Sequence, residues 1–201
     1  MSFSDTYQRA IDDNFGKDPN CFVWQRPSLP QLQHQFADGL AKDLDAIGGH
    51  WEYLKAHPAI AKDIPEEPGL YMFVWSYFLR LNCGVERPTE RFPVVLYVGQ
   101  AGGGELASSR GTLRSRFVSE YRRLLEDNPS GLWATKPARD RNGRLSAGLS
   151  LRPLEYWWLS VARTKSDQLM SLEKRLVVLY DPPLNSELRF RPRTTTPRKA
   201  F

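Results

Sequence analysis

The sequence predicts a mixed α/β domain of the α+β kind, and three observations carry that expectation. Residues 70–75 and 94–98 are short apolar runs rich in valine and aromatic side chains, bounded by glycine and proline, which is the texture of buried strands. Residues 154–161 (Leu-Glu-Tyr-Trp-Trp-Leu-Ser-Val) form a third such run. Around them lie segments whose apolar residues recur at helical spacing.

The N-terminal part reads as helical. Residues 4–15 form a candidate helix with Ser4 as its cap. Pro27 and Pro30 interrupt, and residues 32–47 resume helical spacing until Gly48-Gly49. Residues 51–56 read as one more short helix, closed by Pro58, and residues 63–68 as a rigid acidic lead-in. His34, His50 and His57 fall here without metal-ligand spacing and read as surface or packing histidines.

The first strand covers residues 70–75 and extends toward Leu79. Residues 82–92, polar and holding Gly84 and Pro88, read as a long hairpin loop. Residues 94–98 are the second strand, and a loop of this kind pairs the two antiparallel. The strand breaks at Gly99 into a glycine-rich loop, Gly102-Gly103-Gly104, that lets the backbone approach a ligand or simply moves. Thr112 then caps a helix on which Leu113, Phe117, Tyr121, Leu124 and Leu125 share a face, with Arg116, Glu120 and Arg123 along its edge. Asn128-Pro129-Ser130-Gly131 stops it. Residues 133–152, rich in Gly, Arg and Lys, read as an irregular basic insertion. After the third strand, Ser166 opens a helix to about Tyr180, ended by Asp181-Pro182-Pro183. The tail from Leu188 is basic and reads as disordered.

Charge is unevenly placed. Residues 1–68 hold 6 Lys+Arg against 11 Asp+Glu, and the remaining residues hold 22 against 12. A C-terminal two thirds this basic points to a polyanion partner, although a solvated basic surface has the same composition. Two cysteines make no disulfide framework, the start lacks the basic and apolar regions of a cleavable signal, and the apolar run at residues 69–79 is too short to span a bilayer. These features set the expectation of a soluble, cytoplasmic protein with no membrane partner.

Several side chains stand out chemically. Glu173 sits inside an apolar helical arc formed by Leu169, Leu172, Leu176, Val177, Leu179 and Tyr180. A buried carboxylate needs a cation, either a metal or a basic side chain such as Arg116. Arg116 lies at the edge of its helix face, where it can grip a phosphate bidentately or pair with Glu120 at i+4. Tyr71 and Tyr97 occupy matching places in neighbouring strands, and Asn185 follows two prolines.

In order, Gly69-Leu70-Tyr71, Tyr97-Val98-Gly99, Leu113-Arg114-Ser115-Arg116, Leu172-Glu173 and Pro183-Leu184-Asn185 resemble the motifs of the GIY-YIG nuclease family. The resemblance covers about residues 68–186, and in layout it is closest to the stand-alone restriction endonucleases of that family. It implies a small three-stranded antiparallel sheet flanked by helices. It divides the chain into an N-terminal extension (1–67), a nuclease domain (68–187) and a basic tail (188–201).

It also implies a metal-dependent endonuclease that hydrolyses phosphodiester bonds in double-stranded DNA. By resemblance Tyr71, Tyr97, Arg116, Glu173 and Asn185 form the catalytic set. Glu173 is the ligand of one Mg²⁺, or of another divalent ion such as Mn²⁺, and Asn185 supports the site. One tyrosine, with Tyr71 preferred, positions or deprotonates the attacking water. Gly99, Gln100, Arg110, Arg114, Arg123, Arg141 and Arg144 are the expected DNA contacts. Some members carry a histidine one turn after the arginine; here that place holds Glu120, with Tyr121 next. The alternatives are a nucleic-acid-binding module that keeps the fold without cleavage, and a repair nuclease acting on branched DNA or RNA. Residues 1–67 are expected to cover the sheet or to pair subunits in a homodimer.

Overall fold

The computed structural model of the chain describes residues 34–79, 90–102, 111–125, 141–161 and 166–185. Its elements are α1 (His34–Ala46), β1 (Trp51–Lys55), a 3-10 turn (Pro58–Lys62), β2 (Gly69–Leu79), β3 (Glu90–Ala101), α2 (Leu113–Arg116), α3 (Arg141–Gly148), β4 (Leu154–Ser160) and α4 (Ser166–Tyr180). The class is α+β, as the sequence predicts. The helix expected at residues 4–15, Arg110, residues 133–140 of the insertion and the tail lie outside the described residues.

The sheet is antiparallel and has four strands in the order β1-β4-β2-β3, one more than expected. The three strands read from composition are β2, β3 and β4. The fourth is β1, at residues the sequence reading took for a short helix. It pairs from Trp51 opposite Leu159 to Lys55 opposite Glu155, and the Ala56 N–H bonds the Leu154 carbonyl. Five residues are too few to nucleate a helix, while the open edge of β4 offers them a ladder. From β1 onward, the stretch expected as an extension therefore contributes to the sheet. Ile60 and Ile64 follow it into the core.

Two further boundaries differ. β3 starts at Glu90, inside the expected hairpin loop, and continues through Gln100 to Ala101. Part of the expected irregular insertion is α3, where Leu145 and Leu149 are both buried. Four residues apart, they lie on one face, but the surrounding Gly and Arg hide that spacing. The α4 helix occupies its expected span, and α1 ends at Ala46 in a turn closed by the Gly48 N–H on the Asp45 carbonyl. Thr112 caps α2 in a reciprocal box: its hydroxyl accepts from the Ser115 N–H at 3.1 Å, and its own N–H donates to the Ser115 hydroxyl at 3.0 Å.

Alternation along β2 separates two cores. Tyr71 and Phe73 face Leu113, Phe117, Tyr121, Leu145, Leu149, Tyr156 and Trp158. Leu70, Met72 and Val74 face the other way, toward Leu40 of α1 and Leu169, Leu172, Leu176 and Val177 of α4. The sheet thus lies between α1 and α4 on one side and α2 and α3 on the other. Among the described residues, no helix is long and apolar enough to cross a membrane.

Ile64 tests whether residues before 68 belong to this core. It is 0% exposed, so Ile64→Ala should lower stability by about 2–5 kcal/mol in chemical denaturation. A change under about 0.5 kcal/mol, the scale of a surface substitution, would mean that the segment is peripheral.

Candidate active site

The site begins with a steric fit between two strands. Tyr71 of β2 lies opposite Gly99 of β3. A Cβ at residue 99 would come within 2.4 Å of the Tyr71 phenol, so only glycine leaves room for the ring. Gly69 is constrained from the other side, where a Cβ would meet the Leu159 carbonyl oxygen at 2.2 Å. Both glycines of the sequence motifs thus let a neighbour approach closely.

A bulge sets the direction of Tyr97. Phe73 pairs with Tyr97 and Val74 with Val95, which leaves Leu96 as the extra residue on β3. Leu96 and Tyr97 consequently both belong to the Tyr71 side, while Val95 and Val98 join the core under α4. Tyr71, Tyr97, Tyr121 and Tyr156 form one aromatic group, with centroids 5.6–6.2 Å from Tyr71. The Tyr71 and Tyr121 hydroxyls are hydrogen-bonded at 2.8 Å.

Arg116 enters this group from the end of α2. The chain then continues as a π turn over residues 117–121, closed by the Arg122 N–H on the Phe117 carbonyl. Leu113, Phe117, Tyr121 and Leu125 are buried, as their helical spacing requires. Arg116 makes the i+4 ion pair with Glu120 that the sequence offered as one reading. Glu120 is also bonded by Arg141 Nη2 at 3.1 Å. The same Nη2 donates to the Tyr97 hydroxyl at 3.1 Å. Arg116 Nε is out of solvent with no acceptor, and the Tyr156 hydroxyl is buried without a partner.

The two motif tyrosines differ in burial. Burial pushes the Tyr71 phenol well above its ordinary value of 10.0, and Tyr97 adds to that, against a smaller opposing effect of the Tyr121 bond. Tyr71 keeps its proton and is 2% exposed. A phenol held protonated is a weak base, and its bond to Tyr121 suits Tyr71 to orienting its neighbours. Tyr97 is half-buried and is the motif tyrosine that solvent reaches. Burial alone would raise the Glu120 carboxyl, but the bond and charge of Arg116, then those of Arg141, hold it below 4.5. Burial works against charge on Arg116, and Glu120 more than offsets it.

The remaining sequence candidates divide. Asn185 is buried and acts as an extra strand neighbour: its Oδ1 accepts from the Val98 N–H and its Nδ2 donates to the Val98 carbonyl, both at 2.9 Å. It thereby holds β3 between Tyr97 and Gly99. Gln100 pairs with Leu70, which points away from Tyr71. Its place is thus on the α4 side, and its Oε1 is buried without a partner. Arg114, expected to contact DNA, instead ties down residues 62–66. It donates to the Ile64 carbonyl at 2.7 Å, the Lys62 carbonyl at 3.1 Å and Glu66 at 2.5 Å. Arg123 is exposed and Arg144 half-buried.

Glu173 comes from α4, a different element from those that carry the tyrosines and Arg116. The buried stripe of α4 packs on the opposite face of the sheet. Leu169, Leu172, Leu176 and Val177 around it are buried, yet Glu173 remains partly exposed. Among the described residues, no three His, Cys, Asp or Glu side chains converge as a metal site. A half-buried single carboxylate fits Mg²⁺ attachment of the kind that retains water ligands.

Sequence reasoning missed Tyr121 and Tyr156 as members of the site. Their signal was a phenol within an apolar stripe, since a buried hydroxyl calls for a partner.

Two outcomes follow from this geometry. Gly99→Ala should destabilise the fold by about 1–3 kcal/mol, and by less in a Tyr71→Ala background, as a double-mutant cycle of urea melts would show. Ionised Glu120 stabilises the folded chain fully above about pH 4.5, and that contribution is lost as pH falls through its lower folded value. Glu120→Gln should therefore flatten the acid end of a melting-temperature profile, and an unchanged profile would contradict the pairing.

Comparison with models of known protein families, with curated proteins and with solved structures finds no match.

Proposed function

We propose that the chain is a divalent-metal-dependent endonuclease of the GIY-YIG kind that hydrolyses phosphodiester bonds in double-stranded DNA. The observation that carries this reading is the meeting of Tyr71, Tyr97 and Arg116 in one polar group. They come from three elements distant in sequence, around a glycine that the Tyr71 ring requires. The basic balance of residues 69–201 supports a polyanionic substrate.

In this reading Arg116 receives a non-bridging phosphate oxygen and balances the charge that grows on it during attack. Tyr97, open to solvent, orients the attacking water. Tyr71 stays protonated and fixes Tyr97 and Tyr121 through packing and its hydrogen bond. Asn185 keeps β3 in register beneath them. Glu173 would hold the metal ion, which supplies Lewis-acid polarisation of the phosphate when bound. The Tyr71 side of the sheet excludes water from behind the phosphate through its aromatic packing.

A second reading, a nucleic-acid-binding module without cleavage, draws support from Glu120, because its carboxylate already occupies Arg116. Nicking of supercoiled DNA separates the two. The wild-type chain should nick with Mg²⁺ and not in chelator. Arg116→Ala should lower the rate about 100-fold or more. Glu173→Gln should abolish nicking while the melting temperature holds. A folded Glu173→Gln variant that cuts at the wild-type rate would remove the metal role, and a wild-type chain that binds duplex but never nicks would establish the binding module.

A further inference from the structure

We propose that Glu120 is a resident stand-in for a phosphate group. In the free chain its two carboxylate oxygens hold Arg116 and Arg141 as a two-guanidinium clamp, and a phosphodiester of the bound strand takes its place. The proposal rests on the reading of this site as a phosphate site, and it adds Arg141 as a second residue that touches that phosphate.

The geometry is that of an oxyanion shared between two cations. Oε1 of Glu120 pairs with Arg116 Nη1, and Oε2 pairs with Arg141 Nη2 at 3.1 Å. The two arginines come from separate elements, one at the end of α2 and one at the start of α3. Two non-bridging phosphate oxygens can take the same two bonds. Two guanidiniums against one carboxylate also leave the group with net positive charge.

Folding alone does not account for the arrangement. The Arg116, Arg141 and Glu120 side chains are 39%, 47% and 25% exposed, and ion pairs this open to solvent contribute little stability. Arg116 has a buried Nε with no acceptor. An unfilled buried donor is unfavourable, so the guanidinium has capacity for an acceptor that Glu120 does not supply. Beside Glu120, Arg141 has an uncharged partner: its Nη2 donates to the Tyr97 hydroxyl at 3.1 Å, and its Cζ lies 6.0 Å from the Tyr97 ring centroid. Tyr97 thus aims Arg141 toward Arg116 and leaves its charge available. Glu120 is tethered at the solvent-facing side of the π turn, so it can turn outward when a stronger acceptor arrives.

The test is binding of a short DNA duplex in chelator, where no cutting occurs, with Glu120→Gln, Arg141→Ala and the double variant. Glu120→Gln should bind about tenfold tighter, because a competing charged acceptor is gone. Arg141→Ala should bind about tenfold weaker, and its slope of log K against log salt should be shallower by about 0.9, one phosphate contact. In the Arg141→Ala background the gain from Glu120→Gln should shrink. A folded Glu120→Gln variant that binds no tighter than wild type overturns the stand-in. If that variant does not fold, Arg141→Ala decides alone, and wild-type affinity with an unchanged salt slope overturns the clamp. Nicking in Mg²⁺ on the same proteins keeps the two ideas apart. The expected affinities without any cutting retain the clamp and remove the nuclease. Cutting with unchanged affinities retains the nuclease and removes the clamp.

Discussion

At residue 99, a side chain of even one carbon would occupy the space of the Tyr71 phenol. That exclusion lets the Tyr71 ring lean over the neighbouring strand at Gly99, 2% exposed, rather than stand out into solvent. The consequences spread outward from it. The buried ring packs edge-on to Tyr121, which fixes the π turn after α2, and that turn presents Arg116 and Glu120. The same ring stacks near Tyr97 and Tyr156, so β3 and β4 are held to one geometry at the site. An alanine at this point would disturb packing, the turn and the charge cluster together.

Much of this was legible in the chain. Valine-rich and aromatic runs marked β2, β3 and β4, because those side chains suit a half-buried pleat. Leu113, Phe117, Tyr121 and Leu125 marked a buried helical face even though the helix widens into a π turn, since one extra residue per turn preserves the inward set. The short β1 was not legible, because its conformation is set by the β4 edge, far away in sequence. Gln100 went to the other side of the sheet because β3 continues through it to Ala101, and three residues of alternation turn it away from Tyr97. The different burial of Tyr71 and Tyr97 was hidden as well: their motifs match, and only tertiary packing buries the one and leaves the other half-buried. Arg141 was an expected DNA contact from the sequence, but its meeting with Glu120 and Tyr97 depends on where α3 lands.

The candidate site combines two environments. Its floor is aromatic and dry, formed by Tyr71, Phe73, Tyr121 and Tyr156. Its rim carries two guanidiniums and one carboxylate that remain partly in water. A low-polarity floor strengthens charge interactions at the rim, whereas the rim's exposure lets partners exchange. Glu173 is carried by α4, whose buried stripe packs on the other face of the sheet. The link between that helix and Tyr97 is Asn185, which follows α4 and grips Val98 by both of its backbone groups.

A phosphate taken up by Arg116 and Arg141 in place of Glu120 would be visible at the guanidiniums themselves. The most direct measurement follows the arginine Nε–H resonances by NMR while a short DNA duplex is added in chelator. The Arg116 Nε–H, buried without an acceptor in the free chain, should shift strongly at the earliest additions together with that of Arg141, and the Glu120 carboxyl carbon should shift with them. A still Arg116 signal beside moving signals from other arginines would place the DNA elsewhere and contradict the account.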